Sequence, residues 1–227
     1  MLDNSNIFEN IWFDGGAWTC AWGAGVIQYL KKHYPDLIFN YKNVGGYSAG
    51  GFLAMNVYLN FDEPDFWYCF QHNTHGFGKY HLWAEETANR VWEKDINKKF
   101  INDNKISLIL YSALNNKIIY KNNWSSKEDF INFTKGTVHI PFMCGFGLHY
   151  VDEIGWSLDG GITQREAPKD WERCLTISPW KKSNKNTIGP SKMPPLKLLV
   201  AGDFELCKKL FDQGIDDAAL WCRKNLI

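Results

Sequence analysis

Apolar residues in this chain fall into short runs and helical stripes, punctuated by Gly, Pro, Asn and Asp. Residues 7–13 are rich in Ile, Phe and Trp and end at a glycine turn, which predicts a strand. Over 21–33 the apolar positions recur at helical spacing and the stretch closes on Lys31, Lys32 and His33, so a helix is predicted there. Pro35 and Asp36 predict a break after it. Residues 43–47 read as a short strand and turn, and 49–59 as a second, almost wholly apolar helix. The stretch 62–102 carries interrupted helical patterning. Runs 106–112 and 117–121 predict two strands joined by a turn at Asn115-Asn116. Ser126 is placed to cap a helix over 126–134. Further strands are predicted over 150–156, near Leu175 and over 196–201, with a turn at Asp159-Gly160-Gly161. Residues 204–226 predict a helix with Gly214 as a candidate break, and the polar, proline-bearing stretch 181–195 an exposed loop. Strands alternating with helices imply an α/β fold with a mostly parallel central sheet. No internal repeat is present, and the 227 residues are expected to form one domain over 1–227.

Composition narrows the function classes. Hydrophobic residues make up 45% and charged residues 22%, which excludes global disorder. Lys+Arg 25 balances Asp+Glu 25, so the chain lacks the basic excess of a nucleic-acid binder. The same balance argues against attachment to anionic lipid by bulk charge. Six cysteines, at 20, 69, 144, 174, 207 and 222, form no CxxC pair and point to reduced thiols. The segment MLDNSNIFEN has no basic region before an apolar core, and no apolar run reaches the ~18 residues of a membrane span. A cytoplasmic location, free or peripheral to membranes, and no transmembrane segment are expected. The aromatic content is high, with Trp 11, Phe 15 and Tyr 10.

Three short motifs carry the chemistry. Gly46-Tyr47-Ser48-Ala49-Gly50 is a G-x-S-x-G between a predicted strand and a predicted helix, the setting of a nucleophile elbow. The serine must sit on a tight, strained turn so that its hydroxyl projects clear of the sheet, and Gly46 and Gly50 remove side chains that would crowd it. The helix start also aims N–H groups and partial positive charge at the site. The second motif, Phe13-Asp14-Gly15-Gly16-Ala17, joins the first strand to the first helix. Consecutive backbone N–H groups on such a turn can hold the oxyanion of a tetrahedral intermediate. Nucleotide binding is the rival reading, and it is disfavoured. Gly23-Ala24-Gly25-Val26-Ile27-Gln28 lacks the third glycine of G-x-G-x-x-G, and Gly45 to Gly50 is followed by Gly51-Phe52, not Lys and Ser or Thr. In the third motif, Leu158-Asp159-Gly160-Gly161, the two glycines leave the carboxylate free to take a proton from a serine hydroxyl. A plain Asp-Gly turn is the bland alternative.

Together these pieces resemble the patatin-like phospholipase family. The resemblance rests on Gly15-Gly16 with Gly25-Val26, on Gly46 to Gly50, on Ile140-Pro141-Phe142 and on Asp159-Gly160-Gly161, in the family's order and across most of the chain. It implies a three-layer α/β/α fold and a Ser-Asp dyad, with Ser48 as nucleophile and Asp159 as base. It further implies an oxyanion hole at Gly15, Gly16 and Ala17, no cofactor and no metal in the core mechanism. The implied substrates are fatty-acyl esters of phospholipids or neutral glycerolipids, met at a membrane or lipid-droplet surface. Where the family's loop carries a third glycine this chain has Ala17, which can offer its N–H if its φ is negative, and Cys20 replaces a further glycine. A catalytically weak lipid-binding module on the same fold, a carboxylesterase and a thioesterase are the alternatives.

Other constellations have competing readings. Cys69-x-x-His72-x-x-His75, with His81 nearby, could suggest a metal site, but the spacing of a closed zinc site is absent. His139 and His149 lie where a Ser-His-Asp mechanism would need a histidine. Phe66, Trp67, Tyr68, Phe70, Phe77, Trp83 and Trp92 could line an acyl pocket or touch a membrane, though core packing is the ordinary use of most of them. Lys98-Lys99 and Lys181-Lys182 read as solvated faces.

Overall fold

The first strand sits at the centre of the sheet because it is apolar on both faces, as a parallel strand covered from both sides must be. β1 (Asn10–Phe13) sends Ile11 and Phe13 into the larger core and Trp12 into a second cluster with Tyr47 and Ile109. The computed structural model describes residues 8–62, 67, 80–95, 103–162, 166–200 and 202–226. Its further strands are β2 (Asn43–Tyr47), β3 (Ile106–Ser112), β4 (Lys117–Lys121), β5 (His149–Val151), β6 (Gly155–Asp159), β7 (Cys174–Ile177) and β8 (Thr187–Ile188). The helices among the described residues are α1 (Cys20–His33), α2 (Pro35–Phe39), α3 (Ala49–Leu59), α4 (Tyr80–Lys94), α5 (Lys127–Thr137) and α6 (Phe204–Asn225).

The strand order is β5-β6-β3-β2-β1-β7-β8, with β4 also paired to β3. The centre, β3-β2-β1-β7-β8, is parallel, and β4, β5 and β6 add antiparallel pairs at one side. The chain is therefore α/β, with a mostly parallel central sheet and flanking helices. Side chains of α1, α3, α4, α5 and α6 join the larger core. Trp12, Tyr47 and Ile109 face the other way and are covered by Ile118, Ala167 and Trp171.

α1 and α6 lie against each other backbone to backbone. A Cβ on Gly25 would collide with the carbonyl of Phe211, and one on Gly214 with the carbonyl of Trp22. Trp22 Nε1 donates to Asp217 Oδ2 at 2.9 Å across the same contact. Gly214 thus marks a close approach, and α6 runs unbroken through it.

Three other expectations change. Pro35 starts the short helix α2 instead of only ending the previous one, as suits a proline in a first turn. The stretch 150–156 is not one strand but the turn of the β5–β6 hairpin, where Glu153 and Gly155 have φ of 63° and 88°. In the stretch 196–201, the described residues 196–200 do not form a strand; Leu196–Leu199 is a 3-10 turn after Pro194-Pro195, with Leu198 buried and Leu196 and Val200 exposed. The edge beside β7 is taken instead by β8, from within the stretch expected to be an exposed loop. No described helix is long and apolar enough to cross a membrane. The five described cysteines are free thiols.

Candidate active site

Ser48 stands between the end of β2 and the first residue of α3, with φ 53° and ψ −136°. That left-handed turn lifts it out of the sheet, as an elbow requires. The glycines of the motif are explained by close approach. A Cβ on Gly46 would lie 2.6 Å from Phe13 O and 2.7 Å from the Gly50 carbonyl, and one on Gly50 would collide with Phe13 O. The start of α3 is thereby seated on the end of β1. A Cβ on Gly15 would come within 2.7 Å of Ser48 Cβ, so the glycine-rich loop passes directly beside the serine.

Asp159 reaches the same place through strand pairing. Ile109 and Leu110 both pair with β4 on one edge of β3, opposite Tyr120 and Ile119. On the other edge Ile109 faces Tyr47 and Leu110 faces Asp159. β2 and the antiparallel β6 therefore meet end to end along one edge of β3. The place that Ser48 would occupy if β2 continued is filled by Asp159. Asp159 shares its face of the sheet with Leu110, which belongs to the helix-side core from which α3 rises. Both residues are nearly enclosed, Ser48 at 6% exposure and Asp159 at 3%. Asp159 Oδ1 accepts from Gly161 N at 2.7 Å, and Asp159 N donates to His139 O at 2.8 Å. Gly161 is tight against the Tyr47 ring and Gly160 against Ile109 O, so neither accommodates a side chain without a shift.

The loop 15–17 is held by its carbonyls. Gly15 O accepts from Trp180 Nε1 at 2.7 Å, and Gly16 O accepts from Thr19 Oγ1 at 2.6 Å and Thr19 N at 3.0 Å. In a trans peptide the next N–H points opposite to the carbonyl. The Gly16 N–H is thus turned away from Trp180 and the Ala17 N–H away from Thr19. Among the described residues neither N–H, nor that of Gly15, has an acceptor. The negative φ on which Ala17's offer of its N–H was conditioned is not what the chain adopts: φ is 51°, the conformation a glycine would take, and the N–H is oriented as a glycine's would be there. Loop closure into the 3-10 turn Ala17–Thr19 imposes it, at about 1–2 kcal/mol of backbone strain. Cys20 opens α1 with a buried thiol that burial, with Cys207 nearby, pushes well above its ordinary pKa.

A scan of family models finds no match, and a search of curated proteins finds none in sequence. Among solved structures, VipD from Legionella pneumophila is similar in fold. The TM-score is 0.60 at 10% identity, over 96% of this chain and 67% of VipD. A chain of the ExoU–SpcU complex from the type III secretion system of Pseudomonas aeruginosa aligns over 96% of this chain and 52% of its own, with 10% identity and a TM-score of 0.49. This chain thus spans about two thirds of one neighbour and half of the other. The likeness to VipD is one of fold, and at that level it supports the resemblance to the patatin-like phospholipases.

Two supports of the site carry no motif. Thr137, fully buried at the end of α5, accepts from Ser48 N at 3.3 Å and donates to Ile109 O. Its hydroxyl bridges the gap left where β2 departs from β3. Asp14, beside Gly15, is buried; Trp12 Nε1 donates to its Oδ1 at 3.0 Å and Lys181 Nζ lies 3.1 Å from its Oδ2. Burial raises the Asp14 pKa, and Lys181 opposes that rise. Lys181 is therefore not simply part of a solvated face.

The histidines are engaged elsewhere. His139 Nδ1 meets His81 Nε2 at 2.9 Å and His139 Nε2 meets Gly147 O at 3.0 Å, while His149 Nε2 meets Asn132 Oδ1 at 2.9 Å. Burial, with His139 and His149 close by, pushes the His81 imidazole down to about 3, and burial lowers His149 as well. Trp83 is buried, stacked edge-on against Phe52 and Trp18, and Trp67 and Trp92 pack against the core. Cys69, His72, His75, Phe66, Tyr68, Phe70, Phe77, Lys98 and Lys99 lie outside the described residues.

Proposed function

We propose that this chain is a serine hydrolase of fatty-acyl esters, acting on phospholipid or neutral glycerolipid through Ser48 and Asp159. The observation that supports the reading is the end-to-end meeting of β2 and β6 on β3, with Asp159 at the register position that follows Tyr47 and Gly15 close beside Ser48. Asp159 takes the proton of the Ser48 hydroxyl as Ser48 Oγ attacks the ester carbonyl. The N–H groups of Gly16 and Ala17, with that of Gly15 beside the serine, receive the oxyanion. Collapse of the tetrahedral intermediate breaks the ester bond, and the departing alcohol takes the proton from Asp159. Asp159 then draws a proton from water, whose oxygen attacks the acyl-serine; collapse of this second intermediate frees the fatty acid, and Ser48 Oγ takes the proton back from Asp159.

Access favours an aggregated substrate. Ser48 and Asp159 are nearly enclosed, and the segment just after His139 carries Phe142 and Phe146, 63% and 90% exposed, with rings 6.3 Å apart. Exposed aromatics beside an enclosed site suit reversible contact with a lipid surface. The test is hydrolysis of a fatty-acyl nitrophenyl ester together with fluorophosphonate labelling. Wild type should turn over and label at Ser48, and Ser48→Ala should do neither. Wild-type turnover in folded Ser48→Ala would sink the proposal, and a wild type that neither labels nor turns over would favour a lipid-binding module.

A further inference from the structure

We propose that His81, His139 and His149 form a three-imidazole site for a divalent transition metal, with Zn²⁺ the ion best suited to the donor set. The site is independent of the hydrolase reading. It joins three separate segments: His81 on α4, His139 just past the end of α5, and His149 at the start of β5. One nitrogen from each imidazole lies within 4.8 Å of the others.

Hydrogen bonds on the outer nitrogens decide which nitrogens keep their lone pairs. A carbonyl oxygen only accepts, so each carbonyl on a ring claims that ring's N–H. Gly147 O takes the Nε2–H of His139 at 3.0 Å. Asn132 takes the Nε2–H of His149, through Oδ1 at 2.9 Å and O at 3.3 Å. A neutral imidazole has one N–H, and these carbonyl oxygens claim those of His139 and His149. The lone pairs of His139 and His149 are left on Nδ1. The third hydrogen, on His81 Nε2, is donated to His139 Nδ1 at 2.9 Å. A divalent cation that takes the place of that hydrogen, with His81 in its Nδ1–H form, meets one lone pair from each ring.

The geometry fits such an ion. Zn–N bonds of about 2.0–2.1 Å in a tetrahedron place ligand nitrogens about 3.4 Å apart. The contact at 2.9 Å and the outer limit of 4.8 Å bracket that spacing. Carbonyls on the outer nitrogens of ligating imidazoles orient the rings and raise their basicity. Three histidines leave a fourth position for water. His139 is buried while His81 and His149 are half-buried, so the ion would bind just beneath the surface.

The full chain, stripped with chelator and dialysed, is titrated with Co²⁺ and then with Zn²⁺, and visible absorption is recorded. One equivalent of Co²⁺ should bind with d–d bands of a four- or five-coordinate site, and Zn²⁺ should displace it. His139→Asn and His149→Gln, each checked for folding by circular dichroism, should weaken binding at least tenfold. Ser48→Ala should bind as wild type, which separates this proposal from the hydrolase reading. No uptake of Co²⁺ by the wild-type chain overturns the proposal. So does binding undiminished in both folded histidine variants. If His139→Asn does not fold, His81→Gln takes its place.

Discussion

Replacing Thr137 by Val tests how the elbow is held. The two side chains have nearly the same shape, so the change removes a hydroxyl without opening a cavity. In wild type that hydroxyl accepts from Ser48 N at 3.3 Å and donates to Ile109 O, with no solvent reaching it. Valine leaves a buried N–H and a buried C=O without partners, and each such group costs about 1–3 kcal/mol. The bond to Ser48 N is long, so the lower part of the sum applies: about 2–4 kcal/mol of lost stability. The Ser48 turn, with φ 53°, is strained and loses a restraint, so kcat/KM on a fatty-acyl ester should also fall about tenfold, equivalent to ~1.4 kcal/mol. The assay is equilibrium unfolding in guanidinium chloride, at unchanged m-value, alongside ester kinetics. Thr137→Ser keeps the hydroxyl and loses one buried methyl, about 1 kcal/mol. A Thr137→Val protein within 0.5 kcal/mol of wild type, or a Thr137→Ser protein as damaged as Thr137→Val, would refute the bridging role.

Asp159→Asn keeps size but cannot take the serine proton, so kcat should drop about 10²–10⁴-fold with folding retained, measured on the same ester. Gly25→Ala puts a methyl onto the Phe211 carbonyl; the ~1 kcal/mol gained in helix propensity is outweighed by overpacking of about 3 kcal/mol. The melting temperature should fall about 4–8 °C by calorimetry. Lys31 donates to Phe61 O at 2.6 Å and Asn56 Oδ1 at 3.2 Å, and burial lowers its pKa from 10.5 to about 8. Between those values the unfolded chain holds a proton that the folded chain has released, so this group makes stability rise with pH, by about 2 kcal/mol from pH 8 to 10. Urea midpoints at the two pH values should show that gain in wild type and not in Lys31→Gln.

The sequence alone determined what depends on neighbours along the chain. Apolar runs bounded by turn residues marked β2, β3, β4 and α3 at their observed bounds, and β3 and α3, buried on all sides, are apolar nearly throughout because each of their faces meets the core. The elbow was legible for the same reason: Gly46, Ser48 and Gly50 act within one turn. The Asp159 motif was visible as chemistry, but its place in line with the end of β2 was not, because that depends on which edge of β3 remains open once β4 has taken the other. Thr137, Trp180 and Lys181 gave no signal, since each matters through a partner remote in the chain. Residues 196–200 failed as a strand because edge pairing is a competition, and β8 holds the position. The gathering of His81, His139 and His149 likewise arises only from packing α4 against the end of α5 and the start of β5. Local patterns state which face of an element is buried; which edges and ends meet is settled by the path of the whole chain.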